Sequence, residues 1–258
     1  MELKDKVVVI TGASSGIGRS LAVKLFDAGC YIALASRDEN KLKELTGQLG
    51  GDSKRCLVLP TDVSDKSQVD NMIDKALEVF KKIDILINCA GLGIYGKVAS
   101  SDIEQIRYIF EVNFFGTVYA IQKAYPIMSK AEGGCIVNIS SVAGFRAWPN
   151  NGYYCAAKHA VNAITDSLRL EAKSDNIDVL LVMPGTTNTD FISNSLNVAE
   201  EVKKSPPMDM TPDEVARHVI DAIRKRKNRI VLTAKGKIIY ILNRISPSLT
   251  ERLLSSGT

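Results

Sequence analysis

Seven short apolar runs recur along the chain: VVVIT (7–11), YIALAS (31–36), CLVLP (56–60), DILIN (84–88), CIVNIS (135–140), DVLLVMP (178–184) and RIVLT (229–233). They are rich in β-branched residues and nearly continuous in hydrophobicity, without strict alternation. Strands buried on both faces of a parallel sheet have this pattern. Helical periodicity fills the gaps between them, over about 17–28, 39–49, 66–81, 101–130 and 152–173, with a further helix opening at TPDEVARHVI. Gly29 suits the end of the first helix. Ser64 and Asp65 are cap candidates for the third. Thr211 caps the last, with Pro212 at its first helical position. Strand–helix alternation of this kind predicts an α/β doubly wound sheet with right-handed crossovers. No repeat, low-complexity tract or linker divides the chain.

Composition narrows the picture without changing it. The chain has 258 residues, 45% of them hydrophobic and 24% charged, with a net charge of +4. Single α/β domains of about this length are routine, and the low net charge gives no nucleic-acid signal. The five cysteines form no C-x-x-C pair and there are two histidines, so no metal site is expected. Buried free thiols suit a reducing compartment. The N-terminus runs straight into a strand with no signal-peptide pattern, and apolar runs of about five residues fall far short of a membrane span. A cytoplasmic protein is the expectation.

The first strand enters TGASSGIGRS, whose Gly12, Gly16 and Gly18 give the spacing G-x-x-x-G-x-G. This differs from G-x-G-x-x-G, yet the physics carries over. Glycines permit a tight turn and close backbone approach, and the amides opening the next helix face a pyrophosphate. The second strand ends in Ser36 and Arg37, where an NAD site would carry an acid. Arginine pairs with a phosphate, which favours NADP(H) over NAD(H). Asp38 and Glu39 are expected to open the next helix. In YYCAAKHA, Tyr154 and Lys158 stand four residues apart and share a helix face. A cation there lowers a phenol's pKa, which makes an acid–base pair possible. An ordinary helix surface is the other reading of the pair alone.

These motifs, in this order, resemble the short-chain dehydrogenase/reductase family across about residues 5–233, on its NADP(H)-preferring, hydroxysteroid dehydrogenase-like branch. TGASSGIG resembles its cofactor turn, TDVSD its adenine-side acid, NCAG its N-x-A-G, and VNFFG, NISSVAG, YCAAK and PGTTNT follow in the family's order. The resemblance implies a single Rossmann domain over 1–258, with a seven-stranded parallel sheet and helices on both faces. It implies catalytic roles for Asn113, Ser141, Tyr154 and Lys158. Tyr154 would act as general acid or base, Lys158 would support it and hold the nicotinamide ribose, Ser141 would orient the substrate oxygen, and Asn113 would anchor a relay water. A free tyrosine titrates near ~10, so working at neutral pH asks for a shift of ~3 units, worth ~4 kcal/mol. Cofactor contacts are implied for Gly12, Ser14, Ser15, Gly16, Ile17, Gly18, Ser36, Arg37, Asp62 and Val63. They extend to Asn88, Ala90, Gly91, Tyr154, Lys158, Pro184, Gly185, Thr187 and Thr189. Ser140 and Tyr153 fall out of register, and neither histidine is given a chemical role.

The resemblance further implies a small-molecule carbonyl or alcohol substrate, with 186–210 as its lid. Phe191, Ile192 and Leu196, with Ile94, Tyr95, Phe145 and Trp148, suggest an apolar lining suited to a lipid- or steroid-like ketone. A homodimer or homotetramer is implied. The tail, 236–258, carries Ile238, Ile241, Leu242, Ile245, Leu249 and Leu253 at helical spacing, with Pro247 expected to break the helix. Subunit contact or cover for the substrate mouth is the commoner fate of such a stripe, and peripheral contact with an anionic membrane is the alternative. Two other functions stay open. One is a 3-oxoacyl thioester reductase, against which the lack of that group's terminal strand counts. The other is an NADP(H)-sensing protein without turnover, against which the presence of both Tyr154 and Lys158 counts.

Overall fold

The computed structural model describes residues 1–51, 54–131, 133–197 and 209–255, the side chains of 253–255 excepted. Seven parallel strands form one sheet: β1 (Val7–Thr11), β2 (Tyr31–Ser36), β3 (Cys56–Pro60), β4 (Ile85–Asn88), β5 (Gly134–Ile139), β6 (Ile177–Met183) and β7 (Arg229–Val231). Their order is β3-β2-β1-β4-β5-β6-β7. The chain winds outward from β1 in one direction, then returns to β4 and winds in the other. The crevice above the carboxyl ends of β1 and β4 is therefore the topological switch point, where ligands of open α/β sheets bind.

Alternate residues of the central strands face opposite layers. Val8, Ile10, Ile85 and Ile87 pack with Leu21 and Leu25 of α1 (Gly16–Asp27) and Val215 and Val219 of α7 (Pro212–Arg224). Val9 and Leu86 turn the other way. They meet Val69 and Ile73 of α3 (Lys66–Phe80), Ala120 and Ala124 of α5 (Gly116–Lys130), and Leu168 of α6 (Gly152–Glu171). Burial on both faces explains why the strands read as continuous apolar runs.

Caps set the helix ends. Asp38 accepts from Lys41 N–H to open α2 (Glu39–Gln48), Asp65 accepts from Ser67 and Gln68 to open α3, and Thr211 and Glu214 form a capping box on α7. The helix expected over 101–130 is interrupted. It comprises α4 (Ile103–Phe110), a π-helical turn at Glu111–Phe115 and then α5. β7 stops before the expected 233, because the Thr233 hydroxyl accepts from Gly236 N–H and caps α8 (Ala234–Ile245). Pro247 breaks the tail as expected, and α9 (Pro247–Ser255) starts there. Residues 198–208 of the expected lid, with Pro206 and Pro207, lie outside the described residues.

Candidate active site

One cavity of about 890 Å³ runs along the carboxyl edge of the sheet. Its first end is the turn after β1. A Cβ on Gly12 would stand 2.8 Å from Ala90 Cα, one on Gly16 2.9 Å from Thr189 Cγ2, and one on Gly18 would overlap the Gly12 carbonyl oxygen. Gly12 and Gly16 also have φ of +68° and +52°, which glycine adopts at no steric cost. The turn after β1 thus packs backbone on backbone against residues 89–90, with the Thr189 side chain beside it, so this end of the cavity has no side chain at these three positions. Gly18→Ala should cost about 1–3 kcal/mol by overpacking; urea unfolding at wild-type stability would contradict this close packing.

Ser14, Ser15, Ile17, Ser36, Arg37, Asp62, Val63, Ala90 and Gly91 line the same cavity. Arg37 is held by a partner the sequence does not reveal: its Nη1 donates to Tyr108 Oη at 2.7 Å. Lys41, also unforeseen, adds a second cation to that wall. Asp62 Oδ1 accepts from the Ser64 backbone at 3.0 Å and the Ser64 hydroxyl at 2.7 Å, which fixes the turn after β3. Thr11, missed by motif reading, accepts from Cys89 N–H and Ala90 N–H at 3.0 and 3.1 Å and so ties the N-x-A-G turn to β1.

At the far end stand Ser141, Tyr154 and Lys158. Ser141 follows β5 and caps a short 3-10 turn, its Oγ accepting from Ala143 N–H at 3.1 Å. Its hydroxyl proton is left to donate. Tyr154 and Lys158 lie on the first turns of α6 and are 8% and 4% exposed. Lys158 Nζ donates to the Ile139 carbonyl at 3.1 Å and lies 5.9 Å from the Tyr154 ring centroid. Burial pulls the Lys158 ammonium down to about 8. Burial also pushes the Tyr154 phenol upward, and a hydrogen bond from Ser141 only partly opposes this. The sequence expectation is a phenol made acidic by Lys158 together with an oxidised nicotinamide. Among the protein's own groups desolvation dominates, and Lys158 is not among the causes of the shift.

Pro184, Gly185, Thr187 and Thr189 line the wall beside this end, and the Thr189 hydroxyl accepts from Phe191 N–H at 3.3 Å. Two expected site residues lie behind the wall. Asn113, fully buried in the π-turn, clamps Leu92: Nδ2 donates to the Leu92 carbonyl at 2.7 Å and Oδ1 accepts from Leu92 N–H at 3.2 Å. A Cβ on Gly91 would stand 3.0 Å from Asn113 Oδ1 and 3.6 Å from Lys158 Nζ, so glycine there keeps those groups close. Asn88 faces across the sheet rather than into the cavity, donating to Asn138 Oδ1 at 2.9 Å; Asn138 in turn donates to Thr165.

A family model for short chain dehydrogenase covers residues 6–199. The chain belongs to the short-chain dehydrogenase family. It is 36% identical over 257 residues to a dehydrogenase/reductase SDR family protein 7-like of Drosophila melanogaster, covering 96% of this chain and 79% of that one. A short-chain dehydrogenase/reductase from Burkholderia phymatum, solved in complex with NAD, superposes with a TM-score of 0.88 at 28% identity, covering 96% of each chain. An alcohol dehydrogenase from Thermococcus sibiricus, complexed with 5-hydroxy-NADP, has a TM-score of 0.78 at 26% identity over 90% of this chain and 97% of that one. The protein is accordingly an oxidoreductase of the family that handles alcohol and carbonyl groups with nicotinamide cofactors.

The apolar walls of the cavity differ in detail from the sequence reading. Leu92, Tyr95, Trp148, Phe191, Ile192 and Ile239 line the cavity. Phe145 instead packs edge-on to Tyr240 at 5.1 Å, and Ile94 pairs with Leu196 in a β-bridge that ties the segment before residue 197 to the 92–97 loop. The Phe191 ring lies 5.5 Å from the Tyr154 ring. His159 Nδ1 contacts the Cys155 carbonyl at 2.7 Å, and His218 is exposed on α7.

Proposed function

We propose that this dehydrogenase is an NADP(H)-preferring enzyme that interconverts an apolar ketone or aldehyde with its alcohol. The observation that carries the reading is one continuous cavity with a side-chain-free cradle at one end and Ser141, Tyr154 and Lys158 at the other. The cradle fits a pyrophosphate on the amides that open α1. Ser14, Ser15, Gly16, Ile17 and Gly18 would hold it, with Asp62 and Val63 at the adenine and Ala90 and Gly91 beside the adenosine. Ser36, Arg37 and Lys41 would take a 2′-phosphate, and Pro184, Gly185, Thr187 and Thr189 the nicotinamide. When bound, the dinucleotide supplies or accepts the hydride.

The chain's own residues manage the proton and the geometry. Ser141 donates to the substrate oxygen and fixes its direction. Tyr154 delivers a proton to the oxygen as it gains charge. Lys158 holds the ribose hydroxyls from the same helix face, and Asn113 stiffens the wall behind it through Leu92. Leu92, Tyr95, Trp148, Phe191 and Ile192 exclude water from the reacting carbon.

A panel of apolar ketones and aldehydes with either cofactor tests this reading. Turnover is expected with NADPH, and none on any carbonyl would refute it. Arg37→Asp removes a charge-assisted phosphate contact worth about 1.5–3 kcal/mol. The NADPH-over-NADH preference should therefore fall by about 10- to 100-fold; an unchanged ratio of kcat/KM would contradict the assignment.

A further inference from the structure

The C-terminal helix α8 has two unlike faces. On the inner face, Gly236 and Ile239 line the cavity, with exposed Lys235 at its rim on the border between the two faces, and Asn243 Nδ2 donates to the Phe145 carbonyl at 2.9 Å. This face covers the substrate end. On the outer face, Ile238, Ile241 and Ile245 follow the i, i+3, i+7 spacing of one helix stripe, and Leu249 of α9 extends it. Their exposures are 58%, 55%, 77% and 46%. The other large exposed apolar side chains, such as Val79, Val98, Ile103, Phe115 and Leu170, are scattered over separate elements. Covering the cavity uses the inner face alone and leaves this stripe unexplained.

Charge around the stripe has one sign. Exposed Lys235, Lys237 and Arg244 flank it, and Glu251 is the single acid between residues 234 and 252. Residues 203–258 hold twelve Lys and Arg against five Asp and Glu, while the remainder of the chain is net acidic. Among the described residues no helix is long and apolar enough to cross a membrane.

We propose that the outer face of α8 and α9 seats the protein on the surface of an anionic lipid bilayer, with the cavity mouth beside the contact. An apolar stripe between cations is the pattern of an interfacial helix, whose apolar side enters the headgroup boundary while Lys and Arg meet anionic lipids. A second copy of this chain fits less well. A two-fold contact lays a surface on itself, so the cations flanking both copies of the stripe would be gathered into one interface, with Glu251 the single acid of residues 234–252 to offset them. With the inner face of the same helix lining the cavity, an apolar carbonyl compound dissolved in the bilayer has a short path to Ile239 and the pocket. That consequence rests on the proposed reduction; the seat itself does not.

Sedimentation of the full-length protein with vesicles tests the seat without any activity readout. Vesicles of phosphatidylglycerol and phosphatidylcholine in a ratio of roughly one to two should bind the protein at least about tenfold more tightly than phosphatidylcholine alone. The double variant Ile241→Glu/Ile245→Glu should lose about tenfold or more of that binding with an unchanged melting temperature, since both side chains are exposed. Lys237→Glu/Arg244→Glu, which keeps the stripe, should also release the protein. The proposal fails if wild type ignores anionic vesicles, or if either variant binds like wild type. It fails equally if light scattering without vesicles shows a dimer that the isoleucine variant splits. None of these results bears on whether the cavity reduces carbonyls.

Discussion

Replacing Tyr154 with phenylalanine should reduce turnover by about 10²- to 10⁴-fold, the range that general acid catalysis supplies. Both kcat and kcat/KM should fall together, because the hydroxyl acts on charge that develops only in the transition state. The ring stays in place: it is packed against Phe191 and is 8% exposed. Stability should therefore drop by only about 1 kcal/mol for the lost hydrogen bond with Ser141. Dinucleotide affinity, followed by NADPH fluorescence, should stay within a few-fold of wild type. A variant retaining half the wild-type rate would remove Tyr154 from the chemistry. One that also lost NADPH would show that the substitution disturbs the cavity rather than the proton transfer.

The features that support this prediction differ in how far the sequence disclosed them. Tyr154 and Lys158 announce themselves by spacing, because four residues on a helix is a local rule. The glycine turn does so as well, since Gly12 and Gly16 occupy φ values that a side chain resists. The strands are legible because burial on both faces leaves few polar positions in them. What stayed hidden depends on strand order and on crossings between distant segments. Asn88 reads as a cofactor contact, and only the β4–β5 register shows that its Nδ2 is engaged by Asn138 while its Oδ1 has no hydrogen-bond partner. Tyr108 lies 71 residues from the Arg37 it holds, with no periodicity linking them. The π-turn at Glu111–Phe115 leaves the apolar pattern of 101–130 almost unaltered, so one helix was the natural expectation. Thr233 looks like a strand residue by its branched side chain, yet its hydroxyl serves as a cap.

Lys158 should make the stability of the empty protein depend on pH, with a sign that an exposed lysine would not show. Its ammonium is 4% exposed and burial depresses its pKa from 10.5 to about 8. Below the folded value both the folded and unfolded chains hold the proton, and the folded state bears the whole cost of a buried charge. Between the two values the folded state sheds the proton while the unfolded chain keeps it, so stability rises with pH. Above the unfolded value the penalty is gone. Lys158→Met is a near-isosteric replacement that removes the titration. In urea unfolding, wild type should gain about 2 kcal/mol relative to this variant between about pH 7 and pH 9.5. At neutral pH the two should differ little, because the relief of the buried charge offsets the loss of the hydrogen bond to Ile139. A difference that is flat with pH would show that the ammonium is better solvated than its burial implies. Turnover by the methionine variant should collapse at every pH. The cation that costs the empty fold stability is the group proposed to grip the ribose, and an apolar side chain of the same length cannot do so.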